Sequence, residues 1–232
     1  MATSSLFDSN SEIEIIERVL EQLSLKIDLK SIYYSNKDFL SLRKQVRKNF
    51  FVPVTYITPI MERLLFALSS LKKPRNMLLI GVSYGNTLIW NIGSFCGKGL
   101  GYLPDRITAI DINDKAISIA SNNFKRINYP TRIRFVAEDA LKICKSIEEG
   151  IDYLYLDADD KENGKGLYFK ILQILYDKLS LDAWILAHDA TYKHGGFQEQ
   201  LSQYFKYVRN PKYFKGSYTL PVDKFGLELS IR

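Results

Sequence analysis

The chain has 232 residues, of which 46% are hydrophobic, 25% charged and 13% aromatic, a composition that excludes disorder and collagen-like fibres at a length that suits one sizeable domain, or one domain plus a short appendage. Lys and Arg outnumber Asp and Glu by 32 to 26, which raises the question of an anionic partner, yet the surplus is scattered along the chain. No apolar run approaches the ~20 residues of a membrane span.

Residues 1–14 lack the basic start, apolar centre and small-residue cleavage site of a secretory signal, so a cytoplasmic protein is expected. Cys96 and Cys144 are too few for a disulfide framework and read as buried thiols.

Ser11-Glu12-Ile13-Glu14 offers a capping box, and Ile13, Ile16, Val19 or Leu20, and Leu23 follow at helical spacing, which predicts a helix over about 11–24. A second helix over about 37–48 carries the basic run Arg43-Lys44-Gln45-Val46-Arg47-Lys48, read as a solvated face in preference to a nucleic-acid contact. From Thr58 the apolar positions Ile60, Leu64, Leu65 and Leu68 predict a third helix, closed by Lys72-Lys73-Pro74. Residues 1–57 are expected to form a helical cover and residues 58–232 the main domain.

After Arg75, short apolar runs alternate with helical patterns: Met77 to Ile80, Ile107 to Ile110, Ile133 to Val136, Tyr153 to Leu156 and Trp184 to Ala187. Such runs suit strands buried on both faces, and their alternation with helices implies βαβ units in a doubly wound, mostly parallel sheet. Tyr213 to Leu220 and Phe225 to Ile231 have no helix between them and read as an antiparallel hairpin. That completes a seven-stranded α/β architecture.

Ligands of open parallel sheets bind at the carboxyl ends of the strands, and this chain concentrates its chemistry there. The first strand empties into Gly81-Val82-Ser83-Tyr84-Gly85, the second ends at Asp111, the third in Glu138-Asp139-Ala140, the fourth in Asp157-Ala158-Asp159-Asp160 and the fifth in His188-Asp189-Ala190. Glycines at the first turn allow close approach of a ligand to the backbone, and an acid closing the second strand can accept hydrogen bonds from ribose hydroxyls. Successive strand-end carboxylates would converge on one crevice and repel one another without a ligand, which points to a binding site. A dinucleotide fingerprint fits poorly, because Ser83 and Asn86 occupy the second and third glycine positions.

From about Thr55 to Arg232 the chain resembles the class I S-adenosylmethionine-dependent methyltransferases, whose sheet is Rossmann-like. Leu79-Ile80-Gly81-Val82-Ser83-Tyr84-Gly85 keeps the outer two glycines of their first turn. Asp111-Ile112 looks like the ribose-binding segment, and Asp139-Ala140 resembles the adenine-contacting segment. The resemblance narrows to the catechol and caffeoyl-CoA O-methyltransferase-like family through Tyr153 to Asp159, the Asp189 segment and the closing hairpin. It implies S-adenosylmethionine held by Gly81, Ser83, Tyr84, Gly85, Asp111, Ile112, Asp139, Ala140 and Asp157, with Tyr56 near the lid. It also implies a small-molecule acceptor under the N-terminal helices, and a homodimer.

Departures from the family pattern concern the chemistry. Asp157 and Asp189 match two metal-ligating aspartates, but Ala190 stands where the family has Asn, so Mg²⁺ ligation is weakened. Asp160 stands at the position of the family's catalytic Lys, with Lys161 one step later, and Leu79 replaces the acid that opens the glycine turn. Asp157, His188 and Lys161 are the expected catalytic groups, His188 and His194 being the two histidines near the fifth strand's end. Methyl transfer to a hydroxyl or amine, without obligatory metal, is the leading expectation. A cofactor-consuming cyclase that releases methylthioadenosine on the same fold is the alternative. Nucleic-acid amino-methylation ranks below both, because Asp157-Ala158-Asp159-Asp160 stands where its Asn/Asp-Pro-Pro-aromatic motif belongs.

Overall fold

The computed structural model describes residues 9–54, 57–95, 102–127 and 132–232. Three helices lead: α1 (Ser9–Ser24), α2 (Asn36–Asn49) and α3 (Pro59–Lys72). Thr58 caps α3 by accepting from the Met61 amide, Pro59 opens the first turn, and Lys73 ends the helix in the left-handed region. Then β1 (Asn76–Ile80), α4 (Asn86–Ile92), β2 (Arg106–Asp111), α5 (Asp114–Arg126), β3 (Ile133–Ala137), α6 (Ala140–Ser146) and β4 (Ile151–Leu156) alternate. They are followed by α7 (Leu167–Leu175), β5 (Leu179–His188), α8 (Phe197–Gln200), α9 (Ser202–Val208), β6 (Gly216–Leu220) and β7 (Leu227–Ile231).

The strands form one seven-stranded sheet in the order β3-β2-β1-β4-β5-β7-β6. The first five are parallel, and β7 runs antiparallel to both β5 and β6. The strand order reverses between β1 and β4, which opens a crevice at their carboxyl ends. Strand alternation divides the core: Met77, Leu79, Tyr153 and Tyr155 face the cluster shared with α1–α4, while Leu78, Ile80, Leu154 and Leu156 face α6, α7 and α9. The fifth strand begins at Leu179, earlier than its apolar run suggests, because Leu179 pairs with Ile151 across a register irregularity. The polar residues between them are carried along by backbone pairing.

The N-terminal helices are pinned by buried charge. Helix α1 starts ahead of the capping box, so Glu12 lies in its first turn and points inward, 3% exposed. Its Oε2 accepts from Arg43 Nη1 at 2.9 Å and from Arg63 Nε at 3.0 Å. Arg43 also pairs with Glu62 at 3.0 Å, and the Phe39 ring lies 4.3 Å from both guanidinium carbons. The basic run of α2 is therefore not wholly a solvated face: Arg43 is buried, while Lys44, Arg47 and Lys48 are exposed. Thr58 hydroxyl donates to Asp223, joining the start of α3 to the β6–β7 turn. Among the described residues no helix is long and apolar enough to cross a membrane. Cys144 is a buried free thiol, and Cys96 lies outside the described residues.

Candidate active site

The carboxyl ends of β1, β2, β4 and β5 surround a cavity of about 1120 Å³, large enough for more than one small molecule. On one side stand Ser83, Tyr84, Asp111, Ile112, Asp139 and Ala140. Asp111 closes β2; its Oδ2 accepts from the Ser83 amide at 2.8 Å and its Oδ1 from the Asn113 amide at 2.9 Å, which fixes the carboxylate at the lip of the β1 turn. Ser83 accepts a left-handed φ of 47° to present that amide. Asp139 caps α6 through the Leu141 amide at 2.7 Å. Ile112 leaves 76% of its surface exposed and offers an apolar face on this wall.

The two glycines of the turn have different roles. Gly81 has φ +84°, and a Cβ there would lie 2.4 Å from the Asp157 carbonyl carbon, so this glycine lets β1 and β4 exit side by side. Gly85 lies off the cavity wall and packs on α5, where a Cβ would meet Phe124 and Ala120. Gly81→Ala is expected to cost about 1–2 kcal/mol for the left-handed backbone alone, and more from the displaced strand end. Thermal unfolding should show a clear drop with the wild-type sheet signature weakened.

On the other side the acids meet two bases. Asp157 Oδ1 lies 3.2 Å from His188 Nδ1 and 3.3 Å from Lys165 Nζ, and Tyr155 donates to its Oδ2 at 3.2 Å. Lys165 Nζ also donates to Asp189 Oδ2 at 2.7 Å and to the Tyr168 hydroxyl at 3.0 Å. Asp189 presents its carboxylate from a left-handed turn, φ 64°, directly after β5. Burial favours the neutral forms of Asp157, Lys165 and His188, but their mutual attraction wins. His188 is held above the usual imidazole range, because the Asp157 charge and hydrogen bond outweigh desolvation. Lys165 is likewise raised and Asp157 lowered against the cost of burial.

When His188 is neutral, the ionised Asp157 keeps the ring proton on Nδ1, which donates to it and leaves Nε2 as the free lone pair. His188 lines the cavity, is 2% exposed, and its Nε2 is a buried nitrogen with no hydrogen-bond partner among the described residues. Beyond it runs an aromatic wall: Phe225 lies 5.7 Å from the imidazole, Tyr192 stacks on Phe225 at 5.0 Å, and Phe197 packs on Tyr192 at 5.3 Å.

The structure thus brings Asp157, His188 and Asp189 together. It places Lys161 apart from them, exposed on the cavity wall. His194 packs on Tyr192 and is exposed. Leu79 is fully buried in the core, and Tyr56 lies outside the described residues. Sequence reasoning missed Lys165, whose only signal is its place between Gly164 and Gly166 at the end of a polar loop.

Ligand atoms of Asp157, His188 and Asp189 lie within 4.8 Å of one another, a spacing that could hold a metal ion. The residues present nevertheless do not fit Mg²⁺. The Lys165 ammonium already bridges the two carboxylates, and Ala190 supplies no side-chain oxygen.

Residues 78–190 match the family profile of a methyltransferase domain. This stretch is a methyltransferase domain. No curated protein matches the chain in sequence at a significant level. Among solved structures, the methyltransferase PaMTH1 of Podospora anserina, bound to SAH, is similar at TM-score 0.63 and 14% identity, covering 100% of both chains. An O-methyltransferase from Bacillus cereus in complex with SAH gives 0.59 and 17%, covering 94% of this chain and 99% of its own. A candidate caffeoyl-CoA O-methyltransferase from Staphylococcus aureus gives 0.63 and 17%, covering 97% and 100%. At such identities the likeness shows the class I methyltransferase fold, with its parallel core and antiparallel hairpin, around the methyltransferase domain.

Proposed function

We propose that the chain transfers a methyl group from S-adenosylmethionine to a hydroxyl or amine of a small molecule, with His188 as the base and without a divalent ion. The observation that carries this reading is the Asp157–His188 pair, with a partnerless Nε2 at the wall of a cavity whose other half is lined by Asp111, Ile112 and Asp139. Two of the similar structures hold SAH, the demethylated form of that cofactor.

Residues of the first half fit the cofactor by donor chemistry. Asp111 would accept from ribose hydroxyls, Asp139 from an exocyclic amine, and Ile112 with Ala140 would cover the faces of a purine. When bound, S-adenosylmethionine supplies an activated methyl group. The chain's own task is to orient the acceptor, remove its proton and exclude water. Asp157 fixes the His188 tautomer and steadies the imidazolium formed when Nε2 takes a proton. The Tyr192–Phe225–Phe197 wall supplies an apolar face against which a small acceptor can lie, together with Val54 and Ile57 from the N-terminal segment. No basic surface stripe is needed for such an acceptor.

Calorimetric titration tests the cofactor half. Purified protein should bind S-adenosylmethionine and SAH with one site, and Asp111→Ala should weaken both by ~10–100-fold, the loss of charge-assisted hydrogen bonds of about 1.5–3 kcal/mol. Absence of binding by the folded wild type would overturn the reading.

A further inference from the structure

We infer that Lys165 is a built-in counter-ion which takes, between Asp157 and Asp189, the place a divalent cation would need. Two carboxylates this close, one buried and one part-buried, repel unless a positive charge lies between them. Lys165 Nζ supplies that charge at 3.3 Å from Asp157 and 2.7 Å from Asp189. Its third hydrogen goes to Tyr168 at 3.0 Å, so every donor of the ammonium is used within the protein.

The delivery is equally specific. The loop after β4 doubles back through paired backbone bonds between Asp160 and Gly164, and the Lys165 amide donates to Gln200 Oε1 at 2.8 Å. At Gly164 a Cβ would strike the same Gln200 side chain at 2.2 Å. The lysine stem then runs inward until only 5% of its side chain is exposed, with the Tyr168 and Phe197 rings 5.2 and 5.4 Å from Nζ. A surface lysine folding opportunistically over an acid cluster would not be anchored at its own backbone in this way. Because its hydrogens are spent on the carboxylates and Tyr168, Lys165 is a positioning residue. It sets Asp157, and through Asp157 it sets His188.

The inference is independent of the methyl-transfer reading, since its test reads metal uptake and stability. Mn²⁺ binding, followed by electron paramagnetic resonance, and thermal unfolding should be compared in the wild type, Lys165→Ala, Lys165→Arg and Lys165→Ala/Asp189→Asn. The wild type and Lys165→Arg are expected to take up no Mn²⁺ and to melt unchanged in its presence. Lys165→Ala should melt lower, bind one equivalent and regain about 5–10 °C when Mn²⁺ is ~100-fold above its dissociation constant. The double variant should lose both effects. A merely packing role for Lys165 would not be rescued by a cation. Uptake of Mn²⁺ by the wild type that disappears in Asp189→Asn would overturn the inference, as would a folded Lys165→Ala that binds none. Should Lys165→Ala fail to fold, the wild type and Lys165→Arg, set against Asp189→Asn, still decide it. Failure here leaves the cofactor titration, and with it the functional reading, standing or falling on its own result.

Discussion

Replacing His188 by Gln is expected to lower kcat by ~10²–10⁴-fold, the usual contribution of a positioned base, while the dissociation constant for SAH changes little. The imidazole lies across the cavity from the Asp111–Asp139 wall, so its loss removes proton transfer and spares cofactor recognition. The pH profile follows from the direction of its shift. His188 must be neutral to accept a proton, and the Asp157 carboxylate holds its pKa above the ordinary 6.5. Activity should therefore rise with pH through a midpoint on the alkaline side of that value. Stability should move the opposite way. A raised imidazole pKa contributes stability that is complete below 6.5 and fades as pH rises through the folded value. A wild-type rate that is flat from acid to alkaline pH, or a His188→Gln variant with full turnover, would remove His188 from the mechanism.

The second large effect belongs to the N-terminal helices. Glu12→Gln leaves the Arg43 and Arg63 guanidiniums buried around a neutral acceptor, and breaking a buried pair in this way costs ~3–5 kcal/mol. At ~2–4 °C per kcal/mol for a chain of this size, the melting midpoint should fall by about 10 °C. The loss is concentrated where α1 and α2 meet α3, so limited proteolysis should cut first within residues 24–36, between the two helices. A midpoint within ~2 °C of the wild type would show that the apolar contacts of Ile16, Leu20 and Leu23 hold the cover without the charges.

The sheet was legible because strands buried on both faces appear as short continuous apolar runs, and helices between them keep their own period. Its acidic ends were equally plain, since Asp111, Asp139, Asp157 and Asp189 each follow such a run. Less could be read where one residue answers to two environments. Arg43 sits in a basic run that looks solvated, yet it turns inward because Glu12 and Glu62 wait on neighbouring helices. Gly81 reads as an opening for a ligand, and it does line the cavity, but nothing in the sequence showed that its missing Cβ also makes room for the β4 backbone. Lys165 was invisible for a different reason. A lysine in a polar loop carries no periodic signal, and only the doubling back of Asp160 to Gly164 turns it toward Asp157 and Asp189. Lys161, nearer in sequence to the strand end, stays exposed.

The most direct test of the account is to incubate the purified protein, in the presence of a chelator, with methyl-labelled S-adenosylmethionine, alone and with pooled small alcohols, phenols and amines, and to follow the label by mass spectrometry. The account predicts that the cofactor survives alone and that, with an acceptor, label enters the acceptor in step with SAH formation, at a rate abolished by His188→Gln. Catalytic release of methylthioadenosine from the cofactor alone would contradict it, because the cofactor would then itself be the substrate.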